Sequence, residues 1–184
     1  MFNKLNRNVI LKRSISYDKL FPLTIKSPTN YVINLDKLRK ENRQLLLQNR
    51  NDSIKTGEIN DTYKNLSDDV SRYILYTNTL FNNNIDVGGI DSDPRFNKIN
   101  DFEFLEEVMD TMEQTDSIRN IEELETMKSN VEESCNDLKT GIERDFENKS
   151  FEDSLQKFMK LKYLNNIKNH IDRRIEVVEE MEEN

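Results

Sequence analysis

His170 and Cys135 are the only histidine and the only cysteine in this chain of 184 residues, and they bound its chemistry first. A single cysteine permits no internal disulfide. A single histidine permits neither a Cys/His zinc cluster nor the paired Glu-x-x-His motifs of a carboxylate-bridged metal site. A Ser-His-Asp triad would have to use His170, which lies in the polar series Asn165-Asn166-Ile167-Lys168-Asn169-His170 with no Gly-rich nucleophile turn near any serine. Four glycines leave no room for a Walker loop or a dinucleotide fingerprint. Asp91 and Asp93 are spaced like the start of a calcium loop, but Phe102 stands where the bidentate Glu belongs. No catalytic, cofactor-binding or metal-ligating set emerges, and the sequence predicts a binding protein that is not an enzyme.

Charge narrows the partners. The chain carries 35 acidic and 27 basic side chains for a net −8, so nonspecific binding to phosphate backbones is disfavoured and nucleic acid is not expected as a partner. The longest aliphatic run is Leu45-Leu46-Leu47, far below the roughly 20 apolar residues of a bilayer span. Met1 to Ser16 departs from the rest, with Lys4, Arg7, Lys12 and Arg13 and no acid. Phe2, Leu5, Val9 and Ile10 recur there at helical spacing, the pattern of a mitochondrial presequence with processing near Arg13–Ser16. Residues 1–16 are therefore expected to direct the protein to the mitochondrial matrix. The same residues also suit a basic N-terminal arm.

The rest reads as two helical modules. Tyr17–Phe21 forms a short element, ended by Pro22 and Pro28. Asn34 is placed to cap a helix through Leu38 and Leu45, whose other face carries Lys37, Arg39, Lys40 and Arg43. Polar residues from Gln48 to Glu58 are expected to interrupt it before a helix through Ile59, Tyr63 and Leu66. A break at Ser67–Asp69 then precedes a stretch through Val70, Tyr73, Ile74, Tyr76, Leu80 and Phe81. Residues 17–82 make the first module, and 83–100, rich in turn formers, the linker. In 101–184, Phe102, Leu105, Val108, Met109 and Met112 form one stripe. A second stripe runs over 118 to 147, and a third starts at Ser150 with Asp153 as its capping partner. The expected architecture is all-α, with an antiparallel three-helix bundle in the second module. Residues 101–147 hold 16 acids against four bases, which predicts a basic partner. Leu161, Tyr163 and Leu164 point in different directions at 100° per residue, so at least one leaves the main seam. Periodicity alone places Leu105 and Met109 in the core.

Leu38-Arg39-Lys40-Glu41-Asn42-Arg43-Gln44-Leu45 resembles helix II of a J-domain, and Asn60-Asp61-Thr62-Tyr63-Lys64-Asn65-Leu66, followed by Arg72, resembles its helix III. Phe102-Glu103-Phe104-Leu105-Glu106-Glu107-Val108-Met109 is similar to the first C-terminal helix of the HscB family, and Leu161-Lys162-Tyr163-Leu164 to a segment of its last. With Tyr17–Phe21 ahead of them, the order resembles that family in its mitochondrial Jac-type form. The resemblance implies an L-shaped J-domain co-chaperone of iron–sulfur cluster biogenesis. Its C-terminal bundle would hold an IscU-type scaffold protein, and its J-domain would bring the scaffold to a DnaK-class chaperone and stimulate ATP hydrolysis. Leu105, Met109 and Tyr163 fall on the family's hydrophobic scaffold-contact positions.

One departure touches function. Arg50-Asn51-Asp52 stands where the family carries His-Pro-Asp, and no realignment restores that tripeptide. Asp52 keeps a carboxylate, whereas the imidazole and the loop-fixing ring are gone. Asn42 also replaces an aromatic usual in helix II. The chaperone-facing set is thus Lys37, Arg39, Lys40, Arg43, Arg50, Asn51 and Asp52, the cations being equally those of a solvated helix. Three readings follow: a monomeric scaffold-binding co-chaperone with a degenerate J-domain, a fully working one whose chaperone tolerates the change, and a helical adaptor that dimerises through its long helices.

Overall fold

The computed structural model describes residues 16–83, 85, 94–96, 99 and 101–182. The expected presequence, apart from Ser16, and most of the expected linker lie outside the described residues. Helices are α1 (Tyr17–Leu20), α2 (Leu35–Gln48), α3 (Ser53–Ser67), α4 (Asp69–Phe81), α5 (Phe102–Ser117), α6 (Ile121–Glu147) and α7 (Phe151–Glu182), with one 3-10 turn at Pro94–Phe96. Among the described residues there is no strand, and no helix is long and apolar enough to cross a membrane.

Short polar side chains start these helices by accepting a free amide of the first turn. Asn34 Oδ1 accepts from Lys37 N at 2.8 Å, Asp52 Oδ1 from Lys55 N at 3.0 Å, and Asp68 Oδ2 from Ser71 N at 2.7 Å. Asn120 does the same for α6, from Glu123 N at 3.0 Å. Ser150 donates to Asp153 Oδ2 at 2.5 Å at the start of α7, and Lys149, at φ 57°, turns the chain sharply between the two longest helices.

Two boundaries differ from the sequence expectation. α3 begins at Ser53, inside the stretch expected to be irregular, because Asp52 caps it and its first turns need no buried face: Ile54 is 68% exposed. The second bundle helix begins at Ile121 and not at Ile118. Ile118 instead sits buried in the α5–α6 connection, where the Arg174 guanidinium donates to its carbonyl from Nε at 3.0 Å and Nη2 at 2.9 Å.

The two modules share one core. Tyr73 of α4 stacks on Phe158 of α7, with centroids 3.9 Å apart, and its hydroxyl lies 3.0 Å from Ser154 Oγ. Phe146 of α6 meets Tyr31 edge-on at 5.8 Å and also touches Tyr73, Tyr76 and Phe81. Such aromatic pairs add to the stabilisation from buried area. Polar ties surround them. Glu143 Oε2 accepts from Val32 N at 2.7 Å and Asn30 Nδ2 at 3.1 Å, and Lys139 Nζ reaches Asp69 Oδ2 at 2.7 Å. Inside the first module, buried Glu41 accepts from Leu23 N and Thr24 N, each at 2.8 Å, which fixes the segment after α1 against α2. α6 and α7 bury their long stripes mainly against each other.

Candidate functional site

Sequence points to two surfaces, and the fold holds them apart. The first lies along the α5–α7 seam. Asp101 has two tasks there: Oδ1 caps α5 by accepting from Phe104 N at 3.0 Å, and Oδ2 accepts from Lys160 Nζ of α7 at 2.5 Å. The Lys160 hydrogen bond, helped by the Phe104 amide, holds the Asp101 carboxyl below its ordinary range. Lys160 Nζ also lies 5.0 Å over the Phe104 ring, whose centroid is 6.2 Å from that of Tyr163 in an edge-on pair. At the other end of the seam Asp116 Oδ1 is 2.9 Å from His170 Nε2.

These contacts set the register. α5 and α7 run in the same direction, pairing Asp101 with Lys160, Phe104 with Tyr163 and Asp116 with His170. Met109 and Asp116 lie two turns apart on one line of α5, and Tyr163 and His170 two turns apart on one line of α7. The Asp116–His170 contact therefore brings both lines to the same side of the seam. Leu105 is half-buried there, while Met109 is 64% and Tyr163 40% exposed. Glu106, Asp110 and Glu113 are exposed beside them. The site offers an apolar strip with carboxylates at its edge. Among the described residues no cluster of His, Cys, Asp and Glu is placed to hold a metal.

The single stripe expected on α5 divides in the structure. Val108 and Thr115 are buried and Phe104 is half-buried, whereas Phe102, expected with Val108, is 83% exposed. Phe102, Leu105 and Met109 thus form an outward line beside the buried one. Phe104 had no place in the stripe, although the Phe-x-Phe spacing signals that one ring must face away from the other. Of the divergent trio on α7, Leu161 is buried at 1%, Leu164 is half-buried, and Tyr163 lies 40% exposed at the outer edge of the α5–α7 seam.

The second surface is the α2–α3 tip. Lys37, Arg39, Lys40, Arg43, Arg50 and Asn51 are all exposed, and Arg39 is 3.6 Å from Asp36. Asp52 is engaged locally, since its carboxylate caps α3 and its amide donates to Asn49 O at 2.9 Å. Leu47, at 72% exposure, and Ile54 flank the turn, an apolar pair absent from the sequence expectation because neither belongs to a core stripe. Asn42, in the place of an aromatic, is buried with its side-chain oxygen lacking a hydrogen-bond partner.

Residues 100–172 match the model of the HSCB C-terminal oligomerisation domain. A search of curated proteins finds no match. Among solved structures, a Jac1 co-chaperone from Saccharomyces cerevisiae superposes with a TM-score of 0.66 at 24% identity, over 86% of this chain and 95% of that one. A 5-182 clone of Jac1 from Saccharomyces cerevisiae gives a TM-score of 0.61 at 22% identity, over 86% and 92%. Residues 100–172 are thus similar to the HSCB C-terminal oligomerisation domain, and they stand in a two-module, all-α chain that shares the fold of the yeast Jac1 structures.

Proposed function

We propose that this chain is a co-chaperone of iron–sulfur cluster biogenesis that grips an IscU-type scaffold through Leu105, Met109 and Tyr163 and presents it to a DnaK-class chaperone. The observation that carries the reading is the exposed apolar line on α5 beside Tyr163, edged with acids and set within an HscB C-terminal domain. Exposed apolar anchors with charge at the rim are the anatomy of a specific interface. Met109 is 64% exposed, and Tyr163, though paired edge-on with Phe104, keeps 40% of its surface open to a partner. The J-like module supplies charge-steered docking from Lys37, Arg39, Lys40 and Arg43, to which Arg50 at the turn adds beside the neutral Asn51. Its stimulation of ATP hydrolysis is weak, because Arg50-Asn51-Asp52 brings neither imidazole nor proline and Asp52 is occupied as a cap. The basic, acid-free start of the chain supports the mitochondrial matrix as the place of action.

Leu105→Ala combined with Tyr163→Ala should weaken scaffold binding at least about thirtyfold, on the scale of a two-anchor loss of about 2 kcal/mol. Calorimetric titration of the full chain with an IscU-type scaffold measures this, with circular dichroism and melting as controls. Unchanged binding, or a collapsed fold, contradicts the assignment.

A further inference from the structure

α5 leans on α7 and stands off α6, and the space left between α5 and α6 is a groove of about 440 Å³. The groove opens on the flank of α5 turned away from Leu105 and Met109, so it does not depend on the scaffold assignment. Buried Val108, Val131 and Ile167, with half-buried Met127 and Leu164, form its floor. Phe104 is the wall it shares with the seam.

The rim has a definite hydrogen-bonding character. Thr111 Oγ1 donates to Glu107 O at 2.7 Å, Thr126 Oγ1 to Glu122 O at 2.8 Å, and Ser134 Oγ to Asn130 O at 3.1 Å. Each hydroxyl proton is therefore committed to its own helix, and only oxygen lone pairs remain for a visitor. Exposed Glu107 and Glu123 add carboxylates, and no lysine or arginine among the described residues lines the groove. Donors at the rim are limited to the amides of Gln114 and Asn130. An anionic or carbonyl-rich ligand would find few partners. A cation-bearing, donor-rich one with apolar side chains would find many, in the manner of an amphipathic helix laid into a groove.

We propose that this groove is a second docking site, for a short amphipathic segment of a partner protein whose apolar anchors are flanked by lysine or arginine. The volume lies in the range of sites that enclose a few large side chains. The acid excess of the surrounding helices favours the encounter with such a segment and repels an acidic one.

A fluorescein-labelled Leu/Lys peptide with leucines at helical spacing, titrated against the full chain and followed by anisotropy, tests this. Saturable binding is expected, with affinity lowered about tenfold by Glu107→Lys with Glu123→Lys, which reverses both rim charges. Thr126→Trp should also lower it, by bulk alone. Glu133→Lys with Glu147→Lys, on exposed positions outside the groove, should leave it unchanged. Equal loss in that control, full affinity in both groove variants, or equal binding of a Leu/Glu peptide would overturn the proposal. Should the double reversal fail to fold, Glu107→Gln with Glu123→Gln and Thr126→Trp decide by the same readings.

Discussion

The α5–α7 seam and the α2–α3 tip both present apolar side chains among charges, yet they are built differently. At the seam, exposed Met109 and Tyr163 stand on helices fixed to each other by Asp101–Lys160, Phe104–Tyr163, Asp116–His170 and the Arg174 grip on Ile118 O. At the tip, Leu47 and Ile54 flank a turn whose acid, Asp52, is engaged as a helix cap. A surface held in register from another helix is pre-organised, so binding there loses little ordering entropy. A surface set by one local turn depends on the residues of that turn, here Arg50, Asn51 and Asp52. The comparison teaches why client holding is the robust half of the proposed function and chaperone stimulation the fragile half.

The largest expected effect tests whether the two regions belong to one body. Phe146→Ala removes a ring that meets aromatic side chains from the first module, and should cost about 3–5 kcal/mol. Chemical unfolding followed separately by probes in each module should show both melting together. Two separated transitions would break the account of a shared core.

A smaller effect sits at the same seam between modules. Burial alone would raise the Asp69 carboxyl, but Arg72 and Lys139 outweigh it and hold it below its ordinary 3.8. Because the folded state favours the ionised form, this contribution is present above about pH 4 and fades as pH falls through the folded value. Asp69→Asn should therefore destabilise the protein at neutral pH and flatten the acid limb of stability against pH. An unchanged acid limb would remove Asp69 from the seam's energetics.

The smallest effect is confined to the tip. Asp52→Ala should cost about 1 kcal/mol, the usual loss for a helix N-cap, and leave scaffold affinity untouched. A steady-state ATPase assay with chaperone and scaffold should give equally weak stimulation from both forms. Strong stimulation by the parent chain, lost in the variant, would sharpen the comparison in the opposite sense and make the tip a working effector.

Much of the fold was legible because local chemistry dictated it. Asn34, Ser150 with Asp153 and the break at Ser67–Asp69 read directly as helix boundaries, and the all-α class followed from the stripes. The start of α3 was hidden because its first turns bury nothing, leaving a periodicity argument without a signal. The division of the α5 stripe was hidden for a related reason. Period 3.6 assigns Phe102, Leu105, Val108 and Met109 to one broad arc, and only the positions of Lys160 and Tyr163 on another helix decide which edge faces inward. Likewise Tyr73 and Phe158 are far apart in sequence, so their stacking could not be read from either segment. Within the candidate site, residue types suggested Leu105, Met109 and Tyr163 only through family resemblance. Phe102, the most exposed of the line, needed coordinates.

Hydrogen exchange of the full chain, with and without an IscU-type scaffold, compares the two regions in one experiment. The account predicts new protection in α5 and around Tyr163 of α7, with exchange at the α2–α3 tip unchanged by scaffold alone. Protection confined to the tip, with α5 exchanging as in the free protein, would contradict it.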